Sequence, residues 1–181
     1  MDNVHFKLET DDDNIAWLTF DKADTGTNVL NAEVFDQLDQ QLQSIASQSP
    51  RGLVILSGKT NGFIAGADIT AFTGVKDTEQ AMALLRRGQE VFNQLEALPF
   101  PTVALIHGFC LGGGTELSLA CRYRVTRDDP GTHMGLPEVK LGIHPGWGGS
   151  ARMVPLIGGI KAMDLIISGR SIDGRTAKRM G

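Results

Sequence analysis

The chain has 181 residues, of which 41% are hydrophobic, enough for one globular domain with a real core but not for a second full domain. Its 17 basic and 21 acidic residues give a net charge of −4, which argues against nucleic acid or a membrane as the main partner. The acidic N-terminus lacks a signal- or transit-peptide pattern, and no apolar run approaches membrane-spanning length. Cys110 and Cys121 lie in apolar surroundings, so we expect buried reduced thiols and a cytoplasmic protein without membrane insertion.

The first part of the chain predicts a hairpin, a helix and a buried strand. Apolar and polar residues alternate over His5–Glu9 and again over Ile15–Phe20, as in paired strands. After a polar loop, Asn31 can cap a helix. That helix carries one apolar face, made of Val34, Leu38, Leu42 and Ile45. Leu53–Gly58 is an apolar run typical of a strand that is buried on both faces.

The middle of the chain continues this alternation of strand and helix. Asp77 begins a capping pattern for a long helix, which Pro99 and Pro101 end. Short apolar strands are predicted at Val103–Ile106 and near Tyr123–Thr126. Such an order predicts an α/β protein with a largely parallel sheet. After Gly149 we expect short helical segments separated by Pro155, Gly158, Gly159, Gly169 and Gly174.

The stretch Leu111–Glu116, which reads LGGGTE, bends a strand into an apolar helix. It lacks the G-x-G-x-x-G spacing of a dinucleotide-binding loop, and on its own it could simply be a close helix–sheet contact. Glu116 makes that second interpretation insufficient, because a carboxylate in an apolar helix is rarely buried without a partner or a task. An interaction with the helix N-terminus is the structural alternative for Glu116.

Further candidates follow in a second Gly- and Pro-containing stretch. Glu138 lies in an apolar segment, although a solvent-facing Glu near Lys140 is the commoner situation. His107 and His144 are candidate bases, but for each a hydrogen-bonded structural role is favoured. No Cys/His cluster suggests a metal, and Ser150 lacks the G-x-S-x-G spacing of a nucleophile, so both chemistries rank low.

Three motifs in register resemble the crotonase (enoyl-CoA hydratase/isomerase) superfamily over nearly the whole chain. They are FIAGADI from Phe63, HGFCLGGGTELSLAC from His107 and GLPEVKLGIHPGWGG from Gly135. Together with NVLN from Asn28 and DDP at 128–130, the last motif looks most like the hydratase half of multifunctional fatty-acid oxidation α-subunits. Those subunits continue into a 3-hydroxyacyl-CoA dehydrogenase domain.

The resemblance implies a fold and an extent. It implies a spiral of ββα turns in one enoyl-CoA hydratase/isomerase domain spanning residues 1–181, with its C-terminal helical part truncated. It also implies a homotrimer or a complex with a thiolase subunit in the full-length protein. No cofactor is expected in this domain, since a CoA thioester is the substrate, and NAD is expected only if a dehydrogenase domain follows.

The resemblance also implies roles for individual residues. The amides of Ala67 and Gly113 match the pair that binds the thioester oxygen, and Glu116 and Glu138 match the two acid/base carboxylates. Phe72, Leu84 and Trp147 would set the depth of the acyl pocket. The expected substrate-binding residues are Thr25, Gly26, Thr27, Ala65, Gly66, Asp68, Ile69, Gly112, Pro137, Gly146 and Trp147.

Adding water to an α,β-unsaturated thioester needs a polarised carbonyl, a base for the water and an acid for Cα. Two amides supply the first, and two carboxylates sharing a water in an apolar pocket supply the others. We assign Glu116 mainly to the water and Glu138 mainly to the Cα proton. The predicted function is hydration of trans-2-enoyl-CoA in fatty-acid β-oxidation. The alternatives are Δ3-Δ2 enoyl-CoA isomerisation and a non-catalytic acyl-CoA-binding or assembly module. A nucleotide-binding dehydrogenase is disfavoured by the missing fingerprint.

Overall fold

The computed structural model describes residues 4–72, 74, 77–128 and 130–181, and the side chains of residues 71 and 72 are outside that description. Asp129 and the side chain of Phe72 therefore lie outside the described residues. Within these limits the chain forms two sheets with helices packed against them. The strands are β1 (Phe6–Thr10), β2 (Ile15–Phe20), β3 (Gly52–Ser57), β4 (Gly62–Ile64), β5 (Thr102–Ile106), β6 (Phe109–Leu111), β7 (Tyr123–Thr126), β8 (His133–Gly135) and β9 (Ser171–Ile172).

The larger sheet has the order β1-β2-β3-β5-β7. The predicted hairpin is confirmed, because β1 and β2 pair antiparallel, and every other pair in this sheet is parallel. Burial alternates along its central strands, so one face is buried and the other is partly exposed, as at Leu105, which is 36% exposed. The expectation that β3 is buried on both faces was therefore wrong. The predicted α/β class with a largely parallel sheet is confirmed.

A smaller sheet, β4-β6-β8-β9, runs beside the first. After the hairpin and first helix, the chain gives successive strands to alternate sheets, β3 then β4, β5 then β6, and β7 then β8. A helical segment follows each pair, so the ββα turns that the resemblance implies are present. The turns bring the segments after β4, β6 and β8 to one side of the smaller sheet, because these three strands are parallel.

Helices pack against these sheets and complete the hydrophobic core. Their bounds are α1 (Ala32–Gln48), α2 (Ile69–Phe72), α3 (Thr78–Glu96), α4 (Gly113–Ala120), a 3-10 helix (Glu138–Leu141), α5 (Gly149–Ile157), α6 (Gly159–Ser168) and α7 (Gly174–Met180). Asn31 and Asp77 cap α1 and α3 as predicted, each accepting a hydrogen bond from an amide three residues on. None of the helices in the described part of the chain is long and apolar enough to cross a membrane.

Two further expectations about secondary structure were wrong. The Gly-rich bend after β5 contains a strand, β6, and with it the whole smaller sheet was missed, because strands of three residues carry no readable alternation. Pro155 does not separate two helices but lies inside α5. It has no N–H to donate to the Ala151 carbonyl one turn earlier, and α5 ends two residues later at Ile157. Cys110 and Cys121 are buried free thiols, as expected.

Asn28 joins the hairpin to the segment that leads into the site. Its side-chain amide is fully buried, accepts from the Lys22 amide and donates to the Phe20 and Phe63 carbonyls and the Ser57 hydroxyl. Its own carbonyl accepts from the Ala65 amide. One side chain therefore connects the ends of β2, β3 and β4.

We expect Asn28→Ala to lower the free energy of unfolding by about 3 kcal/mol, because it leaves several buried polar groups without partners. Asn61→Ala is the matched control. Asn61 is exposed and donates to Gly26 and Thr27 of the same loop, so its loss should cost less than about 1 kcal/mol. Urea denaturation measures the free energy of unfolding of both variants. Equal losses would contradict a larger stabilising contribution from the buried Asn28 side chain.

Candidate active site

A cavity of about 630 Å³ opens at the ends of the smaller sheet's parallel strands. Its wall comes from the segment after β4, the β6–α4 bend, the segment from Pro137 to Trp147, and one face of α3. The residues that line it are Ala65, Gly66, Ala67, Ile69, Ala81, Leu84, Leu85, Gly112, Gly113, Glu116, Pro137, Glu138, Leu141, Gly142, Ile143, His144, Gly146 and Trp147.

Backbone amides of two distant segments face this cavity. Ala67 pairs with Leu30 through the Gly66 carbonyl and the Asp68 amide, so the amide of Ala67 points away from Leu30. Gly113 is the first residue of α4, where amides have no partner within the helix. The two segments touch, since a side chain at Gly66 would come within 3.7 Å of the Gly113 nitrogen. The predicted approach of the two segments is therefore present.

The bend between β6 and α4 requires glycine. Gly112 has φ of +53°, which L side chains rarely adopt, and its amide donates to the Gly135 carbonyl of β8. This bend turns α4 so that its N-terminus, with its partial positive charge, faces the cavity.

Glu116 lies in the first turn of α4 and is only 1% exposed. Its Oε1 accepts hydrogen bonds from the amides of Trp147 at 2.8 Å and Gly149 at 2.9 Å. Gly149 begins α5, so the carboxylate also binds the N-terminus of that helix. The structural alternative concerned the N-terminus of the helix that carries Glu116, whereas this contact is with a different helix and engages one oxygen only. Oε2 is the oxygen that these amides do not engage.

Glu138 begins the 3-10 helix and is 9% exposed, so the solvent-facing interpretation was wrong. Its Oε1 lies beside Gly112, within 3.2 Å of where a Cβ on that glycine would be. Its Oε2 is buried and makes no hydrogen bond with any described residue. A buried carboxyl oxygen without a partner is costly, which makes this group a candidate for contact with a ligand.

The two carboxyl groups differ in their surroundings. The pKa of Glu138 is raised to about 7, mainly by burial and in part by the negative charge of Glu116. Burial also raises the pKa of Glu116, but the amides of Gly149 and Trp147 and the charge of Arg152 oppose that rise. Glu138 is therefore suited to carry a proton near neutral pH, whereas Glu116 has two amide donors that favour its charged form.

Trp147 lines the cavity but belongs mainly to the core. Its indole is 5% exposed and meets Phe35 edge-to-face at 4.9 Å, with Phe92 at 6.2 Å. Gly88 and Gly113 leave the space that the ring fills. The indole therefore fixes α3 and α4 next to the turn whose amides hold Glu116.

Most of the predicted site residues line this cavity, and four do not. Thr25, Gly26 and Thr27 form a loop beside Asn61, and none of them reaches the cavity wall. The Asp68 carboxylate instead accepts from the Thr70 amide and hydroxyl at the start of α2. For the other predicted residues, the structure gives the location, and their roles stay predictions.

Sequence reasoning missed several lining residues. Ala81 and Leu85 of α3 were not proposed, although their four-residue spacing could have placed both on one helix face. Leu141, Gly142 and Ile143 were also missed as cavity lining. His144, a candidate base in the sequence, lines the cavity and places its Nδ1 3.1 Å from the Pro145 carbonyl oxygen. The Nε2 of His107 contacts the Lys59 carbonyl oxygen at 2.8 Å, which confirms the structural interpretation of His107.

These features define a class of site. Amides at a helix N-terminus can stabilise a developing oxyanion, and two buried carboxyl groups in different surroundings can act as acid and base nearby. Apolar residues of α3 and the segment 141–143 can hold an acyl group. Among the described residues no three or more His, Cys, Asp or Glu are grouped to hold a metal ion.

Comparison with known proteins identifies the family. The family model described as enoyl-CoA hydratase/isomerase matches residues 10–181, so the chain belongs to that family. A solved structure of an enoyl-CoA hydratase from Bacillus anthracis superposes with a TM-score of 0.90 at 31% identity, covering 98% of this chain and 68% of that one. The fold is therefore the crotonase fold.

Curated relatives are longer than this chain. The fatty acid oxidation complex subunit alpha of Aliivibrio fischeri is 47% identical over 97% of this chain, which covers 26% of that protein. The subunit alpha of Vibrio vulnificus is 45% identical, again over 97% of this chain and 25% of that protein. The chain thus spans about a quarter of the length of these relatives.

The raised pKa values predict how stability depends on pH. Glu138 titrates near pH 7 when folded, above its usual 4.5, so the folded protein binds more protons than the unfolded chain between these values. The free energy of unfolding should therefore fall as pH rises through this window. We expect the free energy of unfolding of Glu138→Gln, relative to that of the parent, to increase by up to about 3 kcal/mol from pH 5 to pH 8.

Guanidinium denaturation at the two pH values measures this difference. Glu90→Gln, at an exposed position of α3, is the isosteric control and should follow the parent. A Glu138→Gln variant whose stability follows the parent at both pH values would contradict a raised pKa for Glu138.

Proposed function

We propose that this domain hydrates trans-2-enoyl-CoA to 3-hydroxyacyl-CoA as a step of fatty-acid β-oxidation. The observation that carries the proposal is the pair of buried glutamates, Glu116 and Glu138, beside the amides of Ala67 and Gly113 in one cavity. The family and the names of the longer relatives support the substrate class.

In this proposal the thioester oxygen accepts from the amides of Ala67 and Gly113. Negative charge that develops on this oxygen is stabilised by both donors and by the N-terminus of α4, and one such donor is worth about 3 kcal/mol in comparable acyl sites. The carbonyl is thereby polarised, which makes Cβ of the enoyl group electrophilic.

Glu116 then orients and activates the water. Its Oε1 is held by two amides, which favours the charged form, so Oε2 can accept a proton from the water as the oxygen bonds to Cβ. The electron pair of the C=C bond moves to Cα and the thioester oxygen. Glu138, protonated near neutral pH, donates its proton to Cα, and the product carries one added water. Proton exchange between the two carboxyl groups and solvent restores the starting state.

The wider predictions belong to the full-length protein and stay predictions. They are the homotrimer or the complex with a thiolase subunit, and NAD binding by a dehydrogenase domain beyond this region. The substrate-binding role of Thr25, Gly26, Thr27 and Asp68 also stays a prediction.

We expect Glu116→Gln and Glu138→Gln each to lower kcat for crotonyl-CoA hydration by about 10²- to 10⁴-fold in the intact protein, since each removes a positioned acid or base. Loss of absorbance of the conjugated thioester measures the rate, and calorimetric titration measures acyl-CoA binding. Binding should persist in both variants, because neither removes an oxyanion donor. Glu90→Gln is the control and should keep the parent's rate.

Three outcomes decide between this proposal and its alternatives. Acyl-CoA binding without turnover in the parent would favour a binding module. Turnover of a 3-enoyl-CoA with no hydration of crotonyl-CoA would favour an isomerase. Hydration that survives both substitutions would place the chemistry elsewhere.

A further inference from the structure

We infer that Arg152 is a positioning residue, whose side chain fixes the turn between the two amides that hold Glu116 and is itself fixed by α3. This inference rests on the proposed function, in which Glu116 activates the water. Arg152 lies in the first turn of α5, and its side chain is only 10% exposed.

Arg152 contacts both peptide units between the two donating amides. Its Nη1 donates to the Trp147 carbonyl at 3.0 Å, so it fixes the peptide that joins Trp147 to Gly148. Its backbone amide donates to the Gly148 carbonyl at 2.9 Å, and the N–H of that peptide belongs to Gly149. The first of these peptides carries the N–H of Gly148, so fixing it sets the bend between the two donors. Rotating the second peptide would turn the Gly149 amide away from the Glu116 carboxylate.

The guanidinium is held from the other side by α3. Its Nη2 donates to the Asn93 amide oxygen at 2.6 Å, and its Nε donates to the Glu96 carboxylate at 2.9 Å. Gln89 adds a third contact, donating to the Gly146 carbonyl at 2.7 Å. Gln89, Asn93 and Glu96 follow helical spacing and share one face of α3. That face therefore anchors the whole turn from Gly146 to Gly149.

The arrangement acts on charge as well as geometry. Glu116 is buried and would otherwise favour its neutral form, and the positive charge of Arg152 lowers the pKa of Glu116. A guanidinium suits this place because its fixed donors can bind a carbonyl, an amide oxygen and a carboxylate at once. A purely structural arginine would affect folding but not the titration of Glu116.

We expect Arg152→Met in the intact protein to lower kcat for crotonyl-CoA about tenfold, because a small misplacement of a reacting group is costly. KM should stay within about twofold, and the acidic limb of the kcat profile should move to higher pH. Arg152→Lys, which keeps the charge, should move the acidic limb part of the way back to the pH of the parent. Arg170→Met is the matched control, since Arg170 pairs with Asp164 in the same way but outside the cavity wall.

Distinct results overturn the inference and the proposed function. An Arg152→Met protein with the parent's acidic limb, or with a uniform loss that matches its unfolded fraction, overturns the inference. A parent that does not hydrate crotonyl-CoA overturns the proposed function instead. In that case, infrared titration of the Glu116 carboxyl in a Glu138→Gln background still decides the inference, since Arg152→Met should raise its midpoint and an unmoved midpoint refutes it.

Discussion

The structure depends on how the buried carboxylate of Glu116 is satisfied. A buried charge without partners costs several kcal/mol, and here two backbone amides and a helix N-terminus offset that cost. Those amides belong to a turn more than thirty positions further along the chain. The turn must therefore be fixed in place. Its Trp147 ring packs against Phe35, while Arg152 and one face of α3 donate hydrogen bonds to its carbonyls.

The difference between the two glutamates follows from their places in the fold. Glu116 projects from a regular helix toward amides, whereas Glu138 starts a short 3-10 helix whose surroundings give its Oε2 no partner among the described residues. Burial raises the pKa of both groups, and for Glu116 the amides of Gly149 and Trp147 oppose that rise. The fold thus gives two residues of the same type different surroundings.

Local patterns predicted much of this arrangement, and long-range packing supplied the rest. The hairpin, the caps at Asn31 and Asp77, and the strand Gly52–Ser57 are readable because each rests on neighbouring residues. The smaller sheet was not readable, since its strands are two or three residues long and form only when the ββα turns stack. For the site, the motifs pointed to Glu116 and Gly113. The burial of Glu138 and the anchoring by α3 depend on contacts across dozens of residues.

The amide of Ala67 shows how stability and the site are joined. Its segment is held by Leu30 on one side, through the Gly66 carbonyl and the Asp68 amide, and by Asn28 through the Ala65 amide. Neither contact touches the cavity, yet together they fix the plane of the peptide that presents this amide. Substitutions in the loop before α1 should therefore move the Ala67 amide at the same time as they weaken the junction of β2, β3 and β4. A residue can thus affect the cavity without lining it, because part of the cavity wall is backbone that contacts outside the cavity hold in place.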